Sequence, residues 1–245
     1  MNGESSFHAF GPAHLTIIVL TIGLPFVLAG LVRITQSRRI ERAIAICLGA
    51  LLLLNYIAYV VFVRHLHPVT WTQTLPLQLC DWAMIVIITA MWTGRRRWFE
   101  VAYFWGIGGT LQAIITPNLQ FGVRDPRFIS FFVAHCGIVI GIFFLMLVHK
   151  FRPYPSSIVR TFLCTEVYFV VAFSIDLLTG VNYGFLLHKP EAFSVLSYLA
   201  NGRPLYLLQM HGVALLFYGI LYVPFAIYDL LFSPNTHEPP LAPHR

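Results

Sequence analysis

The chain of 245 residues is 58% hydrophobic and only 11% charged, with a mean hydropathy of +0.73, too little polar material to cover a soluble globule of this size. Sixteen Lys and Arg against ten Asp and Glu give a formal net charge of +6. That charge falls in short segments between apolar runs, where it sets topology and meets anionic headgroups, and nucleic acid is excluded as a partner.

Apolar runs of the ~20 residues that cross roughly 30 Å of hydrocarbon lie near 14–33, 43–63, 75–94, 98–117, 129–149, 158–179 and 204–232. They predict an all-α polytopic membrane bundle of about seven helices. The first has no basic segment ahead of it and no small-residue cleavage site, so it reads as a retained helix, opened by His14. The second carries Asn55. The third begins "TLPLQLCDW", in which Gln78, Cys80 and Asp81 arrive within four residues of an apolar stretch. In the fourth, Gly106, Gly108 and Gly109 dilute helix propensity, and Glu100 and Gln112 dilute hydrophobicity. The fifth carries His135 and Cys136, and the sixth Glu166 between Thr161 and Asp176. The seventh holds Gln209, His211 and Pro224, and is long enough to kink or project past the bilayer. The chain thus divides into a short extracytoplasmic N-terminus (1–13), one membrane domain (14–232) and a proline-rich, disordered cytoplasmic tail (233–245).

Orientation follows from the basic residues, because cytoplasmic loops retain Lys and Arg. One side collects Arg33, Arg38, Arg39, Arg42, Arg95, Arg96, Arg97, Lys150, Arg152, Arg160 and Arg245. The other has only Arg64, Arg124, Arg127, Lys189 and Arg203. The expectation is an N-terminus outside and a C-terminus inside.

Counting about 1.5 Å per residue from the helix ends puts Cys80 and His135 at one level in the outer half. Asn55, Gln112, Asp176, Gln209, His211 and His14 count to the same half, whereas Glu166 is the main ionisable group in the inner half. Polar groups in hydrocarbon are costly and face a cavity or each other, so a one-sided cluster fits a pocket better than a transmembrane ion path. A thiol in apolar surroundings needs an adjacent base to act as a nucleophile. His135 is placed to take that proton and return it to a leaving oxygen, with Asp176 or Asp81 orienting the imidazole. Three plainer readings stand beside this one: a buried inert Cys80, His135 and His211 as interhelical hydrogen-bonding residues, and a disulfide between Cys80 and Cys136. Cys47 and Cys164 read as structural. No CxxC pair occurs, and His65 and His67 in "RHLHP" read as interfacial, so no metal and no other cofactor is expected.

The strings "FGPAHLTI", "LPLQLCDW", "ITPNLQFGVRDPRFISFFVAHCGIVIG" and "VNYGFLLHKPEAFSVLSYL" resemble the YwaF-like bacterial integral membrane proteins, relatives of eukaryotic transmembrane protein 164. The resemblance runs from Phe10 to about Phe232. It implies a bacterial plasma membrane and a cysteine-centred acyltransferase that moves a fatty acyl chain between phospholipid and lysophospholipid, in a group that also includes lipid-ester hydrolases. The family cysteine matches Cys80 and the family histidine matches His135, while Cys136 stands where the family has glycine. Asn55, Gln78, Gln112 and His211 are then candidates to stabilise an oxyanion or place the headgroup, and Asn118, Arg124, Asp125, Arg127 and Asn182 to cap the pocket or hold phosphate. The alternative is a non-catalytic transporter, or a lipid or small-molecule binding protein, that uses the same polar pocket. Membrane lipids are the expected partners under either reading.

Overall fold

A computed structural model describes residues 7–66, 70–117, 119, 122–191 and 194–232. The expectations for His67, Asn118 and the tail lie outside these residues. Among the described residues the architecture is helical throughout: α1 (Pro12–Thr35), α2 (Arg38–Leu66), α3 (Leu79–Thr93), α4 (Arg96–Trp105), α5 (Leu111–Ile115), α6 (Pro126–His149), α7 (Pro155–Thr179) and α8 (Arg203–Phe232), with short 3-10 turns in the connections. Five of these, α1, α2, α6, α7 and α8, are long and apolar enough to cross a membrane.

The third and fourth predicted segments depart from that standard for local reasons. Pro76 and an extended Leu75 delay the start of α3 to Leu79, which leaves an apolar helix of 15 residues. The glycine-rich stretch of the fourth segment forms one π-helical turn, Gly106–Thr110, between α4 and α5. Gly106 faces Ile138 and Ile142 of α6 at a distance a side chain could not share. Prolines open α1, α6 and α7, where a missing N–H costs nothing, and Asp125 caps α6 by accepting a hydrogen bond from Arg127 N at 2.8 Å. The last helix continues through Pro224 as a single element of 30 residues.

The centre of the bundle is α6, which packs against α1, α2, α3, α4 and α5. Half of its most apolar stretch is buried inside the protein, against 6% for α8, whose apolar faces are left for lipid. Two glycines four residues apart allow the close approach: Gly137 meets Leu52 of α2, and Gly141 meets Ile87 and Met91 of α3. On the far side of the core, α7 and α8 are tied to α4 by a polar chain. Trp105 Nε1 donates to Thr165 Oγ1 at 2.9 Å, Thr165 Oγ1 lies 2.8 Å from Tyr218 OH, and Tyr103 OH donates to Leu221 O at 3.0 Å.

Cross-links define the two ends of the bundle. At the end where α1 begins, Phe10 N donates to His14 Nδ1 at 2.9 Å, so His14 Nε2 carries the hydrogen and donates to Ile114 O at 2.7 Å. Asn55 Nδ2 donates to Ser130 O at 3.0 Å at the same end. At the opposite, basic end, Glu41 pairs with His149 at 3.1 Å, Glu100 with Arg96 and Arg160, and Asp229 with Arg152 at 2.6 Å.

Candidate functional site

The segment ahead of α3 runs from a 3-10 turn (Trp71–Thr74) into an extended stretch at Leu75, and three tyrosines from three other elements hold its backbone. Tyr56 OH donates to Thr74 O at 3.2 Å and Tyr168 OH to Leu77 O at 3.1 Å, while Tyr183 OH donates to Thr72 O and accepts from Leu75 N at 3.2 Å. Such bonds satisfy backbone groups that no helix or sheet can reach. The first turn of α3 is then closed by Gln78 N donating to Asp81 Oδ2 at 3.0 Å, and the Gln78 side chain accepts from Gly184 N at 3.2 Å. Cys80 is the second residue of the helix that results.

Facing it is α6. Arg127, Ser130, Phe131, Ala134, His135 and Ile138 recur at helical spacing and form one wall of a cavity of about 460 Å³. Asn55, Tyr56 and Tyr59 of α2 form a second wall; Gln78, Cys80 and Asp81 form a third, and Tyr183 closes one edge. The volume is in the range of small-molecule sites. The lining combines four aromatic rings, a thiol, a carboxylate, an imidazole and a guanidinium.

His135 has a fixed orientation. Its Nδ1 lies 2.7 Å from Phe131 O, and its ring stacks on that of Phe131 with centroids 4.1 Å apart. A carbonyl only accepts, so Nδ1 carries the hydrogen and Nε2 is the basic nitrogen. Among the described residues no hydrogen bond joins His135 to Cys80; they stand on different walls, α6 and α3. Arg127 forms a bidentate pair with Asp125, with Nε 3.0 Å from Oδ1 and Nη2 2.7 Å from Oδ2.

Of the residues proposed from sequence, the structure brings together Cys80, Asp81, His135, Asn55, Gln78 and Arg127 at this cavity. Others are held elsewhere. Asp176 accepts from Tyr183 N at 2.9 Å and so fixes the turn after α7; the role of orienting His135 falls to the Phe131 carbonyl. His14 is a buried link between α1 and α5, and Gln112 is exposed on α5. Gln209 accepts from Ala200 N at 2.7 Å, tying the last loop to α8. His211 Nε2 lies 3.3 Å from Glu166 Oε2, which joins a residue assigned to the outer half with one assigned to the inner half. Counting depth from helix ends assumes that the helices begin flush, and this pair bridges the two levels so assigned. Asn182 organises its own loop through bonds to Leu187 N and His188, Arg124 is exposed, and Asp125 caps α6.

The disulfide reading is also corrected. All four cysteines are free, and Cys136 packs with Ile114, Phe128 and Phe132 against Ile17 and Ile18 of α1, away from the cavity. Adjacent residues on a helix point about 100° apart, and that angle separates Cys136 from His135. Among the described residues no cluster of three or more metal-ligating side chains occurs.

The residues that sequence reasoning passed over are Tyr56, Tyr59, Phe131 and Tyr183. Tyr183 stood inside the quoted "VNYGFLLHKP" string, and Phe131 is four residues before His135, the spacing at which a histidine can bond a carbonyl of its own helix. The model of the TMEM164 family matches residues 9–222. No curated protein and no solved structure matches the chain.

Proposed function

Because the chain belongs to the TMEM164 family, we propose that it is a membrane enzyme acting on lipid acyl esters, with Cys80 as nucleophile and His135 as general base. The polypeptide crosses the membrane seven times, with α3 and the α4–α5 run as the two shorter passes, and its N-terminus lies outside. The observation that carries this reading is a cavity holding a thiol together with an imidazole whose basic nitrogen is set by the Phe131 carbonyl.

In the first half-reaction Cys80 Sγ attacks the ester carbonyl and its proton passes to His135 Nε2. The C–O bond then breaks, the alkoxide of the lysolipid takes that proton from His135, and a thioester remains on Cys80. A lysolipid hydroxyl or water attacks the thioester in the second half, losing its proton to His135 while the thiol is restored. The walls must approach or enclose a bridging water for the first transfer, since no hydrogen bond joins the two residues beforehand; catalytic contacts of this kind often tighten only with substrate in place. Asn55 and Gln78 border the space where the oxyanion would form, and Arg127, paired with Asp125, is the cation of the lining nearest in kind to a phosphate-binding group.

The missing Cys80–His135 bond favours one other reading, in which the same cavity binds or moves lipid without chemistry. Incubating protein in lipid with a phospholipid carrying a tagged acyl chain separates the two. A hydroxylamine-sensitive adduct, lost in Cys80→Ala and slowed about a hundredfold or more in His135→Ala, supports the enzyme. Absence of any adduct across a broad lipid panel, with both variants folded, leaves the binding protein.

A further inference from the structure

The basic end of the bundle holds a second constellation, unrelated to the cavity. Glu100 of α4 is almost completely buried, at 1% exposure, and its two carboxylate oxygens are divided between two arginines. Arg96 Nε lies 3.1 Å from Oε1, and Arg160 Nη1 of α7 bonds Oε2. A buried carboxylate with a single donor on each oxygen holds each guanidinium by one edge and leaves its remaining N–H groups to other acceptors. Both arginine side chains are about one third exposed.

The constellation continues across the ring of Tyr154, which takes the guanidinium of Arg96 at 4.7 Å and that of Arg152 at 4.8 Å. Arg152 is held from its other side by Asp229 of α8. Arg97 is exposed and close enough to Arg160 to act on it electrostatically, and neither Arg95 nor Arg97 makes an ion pair among the described residues. Five arginines therefore meet two carboxylates where α4, α7 and α8 come together, and neither α4 nor α7 has an acidic residue in its first turn. Crowding like charges is unfavourable without an anion between them. The arginines are drawn together by packing and by Glu100, and the positive excess is left facing the level of the headgroups.

We propose that Arg95, Arg96, Arg97 and Arg160 form a binding site for the phosphate of an anionic phospholipid at the basic end of the bundle. The source is the lipid and not free phosphate, because α7 and α8 present exposed apolar faces beside the arginines, including Val159 and Leu163 of α7 and Leu230 and Leu231 of α8, where acyl chains can lie. Interfacial basic pockets between membrane helices suit such headgroups.

Native mass spectrometry of the full chain in non-ionic detergent, with equimolar phosphatidylglycerol and phosphatidylcholine, tests this. The wild type is expected to retain phosphatidylglycerol about tenfold over phosphatidylcholine. Arg95→Gln and Arg97→Gln together, which leave the Glu100 pairs intact, are expected to abolish most of that preference, and Arg64→Gln with Arg203→Gln at the opposite end, both exposed, to leave it unchanged. Equal loss in both variants would make the preference a matter of net charge and overturn the site. Displacement of the lipid by millimolar inorganic phosphate would assign the site to a soluble anion and overturn it equally.

Discussion

The hydroxyl of Tyr183 does more for the cavity than its position in a loop implies. It serves both Leu75 N and Thr72 O, and these two backbone groups precede a helix whose second residue is Cys80. Tyr183→Phe keeps the ring against Leu77 and Tyr168 but leaves a part-buried N–H and a carbonyl without a partner, at a cost of about 1–3 kcal/mol. Faster hydrogen exchange at Leu75, with α6 unaffected, is the expected signature. Its neighbour Gly184 adopts φ of 58° and lies so close to the Tyr168 hydroxyl that a methyl group has no room. Gly184→Ala is therefore expected to displace Tyr168 from Leu77 O and to lower the thermal midpoint, whereas Gly202→Ala, with open space around it, leaves the midpoint unchanged. Such couplings were not legible in the sequence. They join residues about a hundred positions apart, and a tyrosine in an apolar protein reads equally well as an interfacial anchor. The Cys80 and His135 placements were legible because a polar side chain in a long apolar run leaves few places to go.

Among the elements, α6 has the most neighbours, and its glycines set their distance. A Cβ on Gly137 would come within 2.7 Å of Leu52 Cδ2, and one on Gly141 within 3.1 Å of Ile87 and Met91. Replacing either by valine is expected to destabilise the bundle by about 1–3 kcal/mol, read as a lower midpoint in a thermal unfolding scan in detergent. Gly30→Val on the open face of α1 is the control. At this scale the sequence was read well where hydropathy alone decides and less well where backbone chemistry intervenes. The long helices α1, α2, α6, α7 and α8 each fall on a predicted apolar run. The start of α3 and the π-helical turn did not follow from hydropathy, because Pro76 and three clustered glycines alter the backbone without altering the apolar count.

For the whole molecule, the proposed orientation rests on the asymmetry of basic residues between the two ends. With Cys47 replaced by serine, a membrane-impermeant thiol reagent applied to intact cells is expected to label Glu191→Cys above the parent and to leave Arg39→Cys unlabelled until the membrane is opened. Both positions are exposed. The reverse pattern would invert the protein and move the cavity to the cytoplasmic leaflet. Depth within the bundle was the part of the overall arrangement least available from sequence, as the Glu166–His211 pair records: helix ends are visible in a sequence, but the sliding of one helix along another is decided by packing.

The cavity wall has one further consequence, in time and not in space. Every residue that lines it lies at or before Tyr183, and α8 begins only at Arg203. As the ribosome delivers the chain from its N-terminus, the whole lining has been made before the last helix is started. Of the five long helices, the one with the smallest buried share is thus the last to arrive, and it reaches the finished lining from behind, through Leu207 and Met210 packed on the cluster of Leu77 and Tyr183.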